Sequence, residues 1–418
     1  MMCGRTALLS FAILAGCQSP TDLPGESTAA QRADVAPAPS WYELLPKAPL
    51  RVAAIGAGDV IFAGEFSDPL ALGGEYLASK GSADLFVSRM DARGKHRWTS
   101  SFGAPGQEAI ASLAARGEAL VLAGTSEGGL DFGGGSLNAG AFLAKLDGTG
   151  RHLWSRAITG ATVARVVIDE KGEVVALVQA KGPVDLGNGP ITSAGGTILA
   201  KLDSTGQPVW TKTYGPQVVI RDVAVSRIGE VVAVGSLVGR YDFGGGEVAT
   251  EGRDHDAILV RYGWTGSFQW NRRYGDSDSQ DARVVDATER SLFVLLKEQS
   301  GPVLGVHEYE PWGEPRWSFE VSGPTVLAAD GAGGVLYGTF GLTTGDSTLG
   351  RLDNRGRLLW ERMLTHDGGA KITDLTVTTS GLLMVVGHGG AGTDLGGGVI
   401  LRPAHGSTGF VTAYALGP

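Results

Sequence analysis

Apolar positions along this chain come in short runs. "IASLAAR" is followed by "ALVLAGT", "ARVVIDE" by "VVALVQA", and "ITDLTVT" by "LLMVVGH". Runs of this length that end at glycine or a polar corner predict strands joined by tight turns. Gly117, Gly172, Gly229 and Gly381 separate the two members of such pairs. Two further runs follow each pair, and "AKLDGTGRHLW" (144–154) shows their form: an apolar strand, a glycine-containing corner, and a second strand carrying one tryptophan. Each unit therefore predicts four antiparallel strands.

The corner phrase recurs before Trp98, Trp154, Trp210, Trp270, Trp317 and Trp360, at intervals of 56, 56, 60, 47 and 43 residues. A period of that size is the mark of a repeat architecture. Glycine stands four positions before each of these tryptophans, at Gly94, Gly150, Gly206, Gly266, Gly313 and Gly356. Asp91, Asp147, Asp203 and Asp353 stand three positions before their glycines. Asp-x-x-Gly between apolar runs predicts a type I turn closed by a left-handed bulge residue: aspartate bonds the turn backbone and glycine takes the positive φ. Two corners depart from the pattern, Gly263-Trp264-Thr265-Gly266 and Glu310-Pro311-Trp312-Gly313, and both keep the final glycine.

Four-stranded units repeated around an axis make a β-propeller, in which each sheet packs on its neighbours. The last unit ends after a third strand, "GFVTAYAL", whereas "SWYELLP" around Trp41 precedes the first complete unit. Trp41 lies 57 residues before Trp98 and serves as a seventh anchor. The expectation is an all-β, seven-bladed propeller of four-stranded antiparallel blades over residues 40–418, its last blade closed by the amino-terminal strand. The order of "AKLD"-like strand and Gly-x-x-x-Trp resembles the bacterial seven-bladed β-propeller repeat family (SBBP), over about residues 40 to 416. In blade five, "ATERSLFVLLKEQ" lacks the glycine turn, which leaves its register open.

Composition adjusts this picture in a few places. The 66 glycines among 418 residues show no collagen-like period, as many tight turns require. The formal charge of −9 comes without a basic cluster, so nucleic acid is not expected as a partner. The opening "MMCGRTALLSFAILAGC" has one positive charge at Arg5, an apolar stretch and small residues before Cys17, the pattern of a secretion signal over residues 1–16. Leu14-Ala15-Gly16-Cys17 resembles the lipobox of bacterial lipoproteins, which implies lipidation of Cys17. Gln18 in place of aspartate further implies an outer-membrane destination. Cys3 would leave with the signal, so neither cysteine is available for a disulfide. Residues 17–39 combine the lipidated cysteine with a Pro-, Ala- and Ser-rich tether that reaches roughly 26 Å as a coil.

The candidate chemistry is sparse. Seven regularly placed tryptophans are what packing between blades selects. The phrase also resembles the tryptophan-docking motif of quinoprotein propellers, but its Asp-to-Gly spacing is one residue short, and no cofactor is expected. By strand parity, first-to-second and third-to-fourth turns share one face, while longer second-to-third inserts lie with the blade connections on the other. Those inserts hold Asp131, Asp185, Asp242 and Asp394, each before a glycine-rich stretch, and blade one carries Ala71-Leu72-Gly73-Gly74 instead. Blades five and six lack the insert, so the expectation is a taller rim on the other five. The four aspartates could cap their own turns or bind a cation or basic partner. Asp276, Asp278 and Asp281 are the acids of a dense stretch that matches no complete calcium loop. The seven histidines show no metal-ligand spacing, and no nucleophile elbow or phosphate loop is present. The function expected is a non-catalytic, monomeric binding or scaffolding module in the cell envelope, membrane-anchored through lipid, engaging a protein or glycan through the insert-bearing face. Alternatives are a propeller lipoprotein like that of the outer-membrane protein assembly machinery, or a hydrolase or lyase with residues converging at the channel mouth.

Overall fold

The computed structural model describes residues 36–45, 49–191, 196–250, 254–275, 278–297, 303–323, 325–341, 345–364, 370–402 and 407–417. The strands form seven four-stranded antiparallel sheets and five two-stranded hairpins, with no helix among the described residues. Blade one consists of Pro49–Ile55, Asp59–Phe66, Asp84–Met90 and His96–Phe102. Blades two to six repeat this order along the chain. Blade seven joins Ala370–Val377, Leu382–Gly390 and Ser407–Ala415 to the amino-terminal Pro39–Leu45, with Trp41 opposite Ala413 and Leu45 opposite Gly409. The first strand of every blade touches the first strands of both neighbours, which closes the ring around an axis. This is a seven-bladed β-propeller.

The core explains why the second strands lack an alternating polar face. In Val174–Ala180 of blade three, Val174, Ala176 and Val178 pack against blade two, while Val175 and Leu177 pack against blade four. Both faces are buried, so both must be apolar. Seven such clusters occur, one at each junction. Full burial of one valine or leucine stabilises by about 1.5–3 kcal/mol, so the junctions carry most of the cohesion.

The corners show what the recurring phrase encodes. Asp147 Oδ1 accepts from the amides of Thr149 (2.9 Å) and Arg151 (3.1 Å), and Gly150 donates back to the Asp147 carbonyl at 2.9 Å. Burial opposes ionisation of Asp147, but the bonds from Thr149 and Arg151 outweigh it and hold the carboxyl down at about 2. Gly150 has φ 84°, and a Cβ there would come within 3.1 Å of the Trp98 ring of blade one. Trp98 Nε1 then donates to Gly148 O at 2.9 Å. Trp41, Trp154, Trp210 and Trp270 donate in the same way to Ala92, Ser204, Trp264 and Pro311, each in the following blade. Glycine is thus required twice, by the turn and by the neighbouring indole. Trp317 lies within 2.7 Å of a Cβ at Gly356, but its Nε1 has no partner. Trp360 packs with Ala36 at the blade six–seven junction.

Blade five is a regular four-stranded sheet. Thr288 replaces the missing glycine turn, its Oγ1 accepting from the amides of Arg290 (3.2 Å) and Ser291 (3.0 Å).

The inserts differ from the expectation of a taller rim. Each forms a short hairpin that folds back over an outer strand: a Cβ at Gly73, Gly134 or Gly245 would meet His96, His152 or Phe268 at the start of its own blade's fourth strand, and one at Gly187 or Gly396 would meet Arg156 or Arg362 in the fourth strand of the preceding blade. The cause is a buried apolar residue in each flap: Leu72, Phe132, Leu186, Phe243 or Leu395. Phe132 sits 4.8 Å from Phe102 of blade one and 5.1 Å from Phe142 of blade two, centroid to centroid. A flap standing upright would expose that side chain.

Candidate functional site: the axial cavity

A cavity of about 1180 Å³ lies on the axis at the face of tight turns and corners. Its walls are the last residues of all seven first strands, and its mouth is formed by residues of the turns that follow them in every blade but the third. Arg116, Glu170, Arg227 and Glu289, from the turns of blades two to five, form a chain of ion pairs at 3.7, 3.5 and 3.7 Å. These pairs are exposed and contribute little to stability. The opposite side of the mouth, from blades six, seven and one, presents Gly331, Ala332, Thr379 and Gly56. The corner face also carries Trp264 and Trp312, which are 55% and 58% exposed.

The inner end of the cavity is charged. A bulge precedes Arg51, Ser112, Arg165, Asp222 and Asp374 in their first strands. Such an extra residue re-aims the side chains around it. First strands are sheet edges, and their unpaired backbone groups need partners. The side chains supply them. Asp374 Oδ2 accepts from Val52 N at 3.1 Å, Ser112 Oγ from Val166 N at 3.1 Å, Asp222 Oδ2 from Val285 N at 3.0 Å and Asp286 Oδ2 from Ala329 N at 2.7 Å. In every case the donor belongs to the next blade. The second carboxylate oxygens accept from the amides of Leu375, Val223 and Ala287.

Arg165 Nε lies 3.1 Å from Asp222 Oδ1, and Arg51 Nε donates to Ala111 O at 2.6 Å. Burial pushes the carboxyls of Asp222, Asp286 and Asp374 up and the Arg51 guanidinium down. The Asp222 carboxylate raises Arg165 against the effect of burial. Arg165 is enclosed by the ring yet keeps 35% of its side-chain surface open to the channel, so channel water moderates these effects.

The aspartates singled out by sequence lie elsewhere. Asp131 Oδ1 accepts from Gly133 N (2.7 Å) and Gly135 N (3.0 Å), Asp185 from Gly187 (2.6 Å) and Gly189 (3.2 Å), and Asp242 from Gly244 (2.7 Å) and Gly246 (3.0 Å). Asp394 Oδ1 accepts from Gly396 N at 2.6 Å. These backbone bonds lower the Asp131 and Asp242 carboxyls. Each aspartate caps its own peripheral flap on its own blade, and the structure does not bring the four together. Asp281 pairs with Arg221 at 3.3 Å, while Asp276 and Cys17 lie outside the described residues. Among the described residues, no group of three or more His, Cys, Asp or Glu is placed to hold a metal ion.

Sequence reasoning missed the axial set. Its signal was a charged residue inside an otherwise apolar first strand, as in "ARVVID", "IRDVAV" and "ITDLTV".

No family model matches the chain, and no curated protein matches it. Solved structures resemble it at low identity. BamB from Moraxella catarrhalis is 13% identical, with a TM-score of 0.42 over 90% of this chain and 100% of that one. The β-propeller domain of the trilobed protease from Pyrococcus furiosus is 8% identical, with a TM-score of 0.47 over 83% of this chain and 90% of that one. An oligogalacturonate lyase in complex with manganese is 10% identical, with a TM-score of 0.49 over 92% of this chain and 95% of that one.

Proposed function

We propose that this chain is a non-catalytic binding module of the bacterial cell envelope, held to the membrane by lipid on Cys17, and that its partner, an envelope protein or glycan, engages the corner-face cavity. The observation that carries this reading is the cavity of about 1180 Å³, built by all seven blades and open on the face that also exposes Trp264 and Trp312. Concave sites with a few placed polar groups are the usual ligand sites of proteins. Its axial carboxylates already hold backbone amides of neighbouring blades, which supports a clasping role for them. The anchor rests on the signal-like start and the lipobox-like residues before Cys17. Arg362 donates to the carbonyls of Ala36 and Pro37, fixing the chain where it enters blade seven.

Photo-crosslinking in cells tests the binding face, with the reactive side chain placed at Arg290 in the mouth or at Asp131 in a flap. Reproducible capture from Arg290 alone is expected, and capture from Asp131 alone would overturn the assignment. For the anchor, labelled palmitate should enter the wild-type protein and be absent from Cys17→Ser. Equal labelling of both would contradict it.

A further inference from the structure

The residue paired across the hairpin from each anchoring tryptophan is a cation in five blades: Arg89, Lys145, Lys201, Arg261 and Arg351. Each reaches the neighbouring blade. Arg89 donates to Gly148 O at 2.8 Å, Lys145 to Gly172 O at 2.7 Å and Ser204 O at 3.1 Å, and Lys201 to Gly229 O at 2.9 Å. Arg261 bonds Pro311 O, and Arg351 bonds Gly417 O at 3.3 Å. Blade seven has the neutral Ala413 at this position. Blade five alone reverses the charge, with Glu308 opposite Trp317.

Glu308 is fully buried. Its Oε1 accepts from Ser291 Oγ and the Arg316 guanidinium, whereas Oε2 has no partner. Arg316 also serves Glu310, at 2.7 and 2.8 Å, so these three side chains carry a net charge of −1 (two carboxylates, one guanidinium). Across the seam, Asn354 occupies the corner position whose carbonyl takes an indole N–H in five other corners, yet Trp317 Nε1 is unpartnered. Ser291, Glu308, Arg316 and Asn354 all line the axial cavity, which here extends outward between blades five and six. The register position held by a lysine at the two–three and three–four junctions is therefore held here by a cavity-lining glutamate with one orphan carboxylate oxygen. A buried carboxylate oxygen left without a donor is costly even when its partner oxygen is bonded, and a charge-assisted hydrogen bond offsets that cost.

We propose that the seam between blades five and six binds a primary ammonium group on an unbranched alkyl stem, which donates to Glu308 Oε2 where Lys145 and Lys201 act in the regular repeats. This rests on the reading that the corner-face cavity takes a ligand, and names the chemistry of one end of that ligand. A neutral alcohol of the same length would leave the negative charge uncompensated and is excluded.

The test is calorimetric titration of the full propeller with 1,5-diaminopentane, with 1-pentanol as the uncharged control. Binding of the diamine but not the alcohol is expected, weakened about tenfold or more in Glu308→Gln, since a charge-assisted hydrogen bond is lost. Glu308→Lys, which restores the internal ammonium, should also abolish binding while keeping a cooperative melt. Equal diamine binding by wild type and Glu308→Gln would overturn the proposal. Should Glu308→Gln fail to fold, a crystal soaked in the diamine decides: an ammonium within hydrogen-bond distance of Glu308 supports it, and water alone at Oε2 refutes it. Capture from Arg290 in cells with no diamine binding would sink the ammonium site and leave the cavity reading standing. Diamine binding without capture would do the reverse.

Discussion

Blades three and five have the same four strands and the same tryptophan-bearing outer strand, but they meet their next neighbours differently. In blade three, Lys201 is wholly buried and sits 3.3 Å from Asp169 and 2.8 Å from Glu173, while bonding Gly229 of blade four. A flap capped by Asp185 covers the groove between blades two and three. In blade five the cation is replaced by Glu308, Arg316 supplies the positive charge from the outer strand, and the indole of Trp317 keeps its packing without its hydrogen bond. The comparison separates two requirements. Ring closure needs the glycine corner and the docked indole, which both blades keep. The polar staple is replaceable, and where it is replaced the cavity reaches between blades.

The largest effect should come from removing the regular staple. Lys201→Ala leaves Asp169 buried without its cation, and loss of one partner of such a pair costs about 3–5 kcal/mol. Urea unfolding should show that drop, while Glu308→Lys should lower stability far less; a small effect of Lys201→Ala would erase the distinction between the two seams.

A smaller contrast lies in the indoles. Trp154→Phe removes a hydrogen bond to Ser204 O and should cost about 1 kcal/mol more than Trp317→Phe, which removes none. Equal losses would mean that the hydrogen bond adds nothing to docking.

The weakest signal is in pH, where corner and axis have opposite signs. The Asp147 carboxyl, held at about 2, lies below its unfolded value, so its contribution is present above about pH 4 and is lost as pH falls toward 2. Asp374 is pushed up by burial, so it binds its proton in the fold first and favours the fold as pH drops through that raised value toward about 4. Asp147→Asn should flatten the acid limb of the stability curve, and Asp374→Asn should steepen the decline that remains. The same change in slope from both variants would refute the assignment.

Much of this architecture was legible in sequence because the signals are local. Asp147, Gly150 and Trp154 lie within eight residues of one another, and a type I corner with a bulge needs nothing distant to be recognised. The strand near Trp41 could be placed from spacing alone. The axial clasp was not legible, because Asp374 and Val52 are separated by 322 residues and meet only once the ring has closed. The flaps were placed on the correct blades, but their direction depends on Phe132 finding Phe102 and Phe142, aromatic residues of two different blades. Thr288 did the work of a missing glycine with its hydroxyl, a substitution that a search for glycine passes over.

The most direct test narrows the mouth and leaves the core intact. Ala332 is exposed on the blade six turn and lines the cavity. In cells carrying the crosslinker at Arg290, Ala332→Trp should abolish capture of the partner while the purified variant melts at the wild-type temperature. Undiminished capture with the mouth obstructed would contradict the claim that the partner enters the axial cavity.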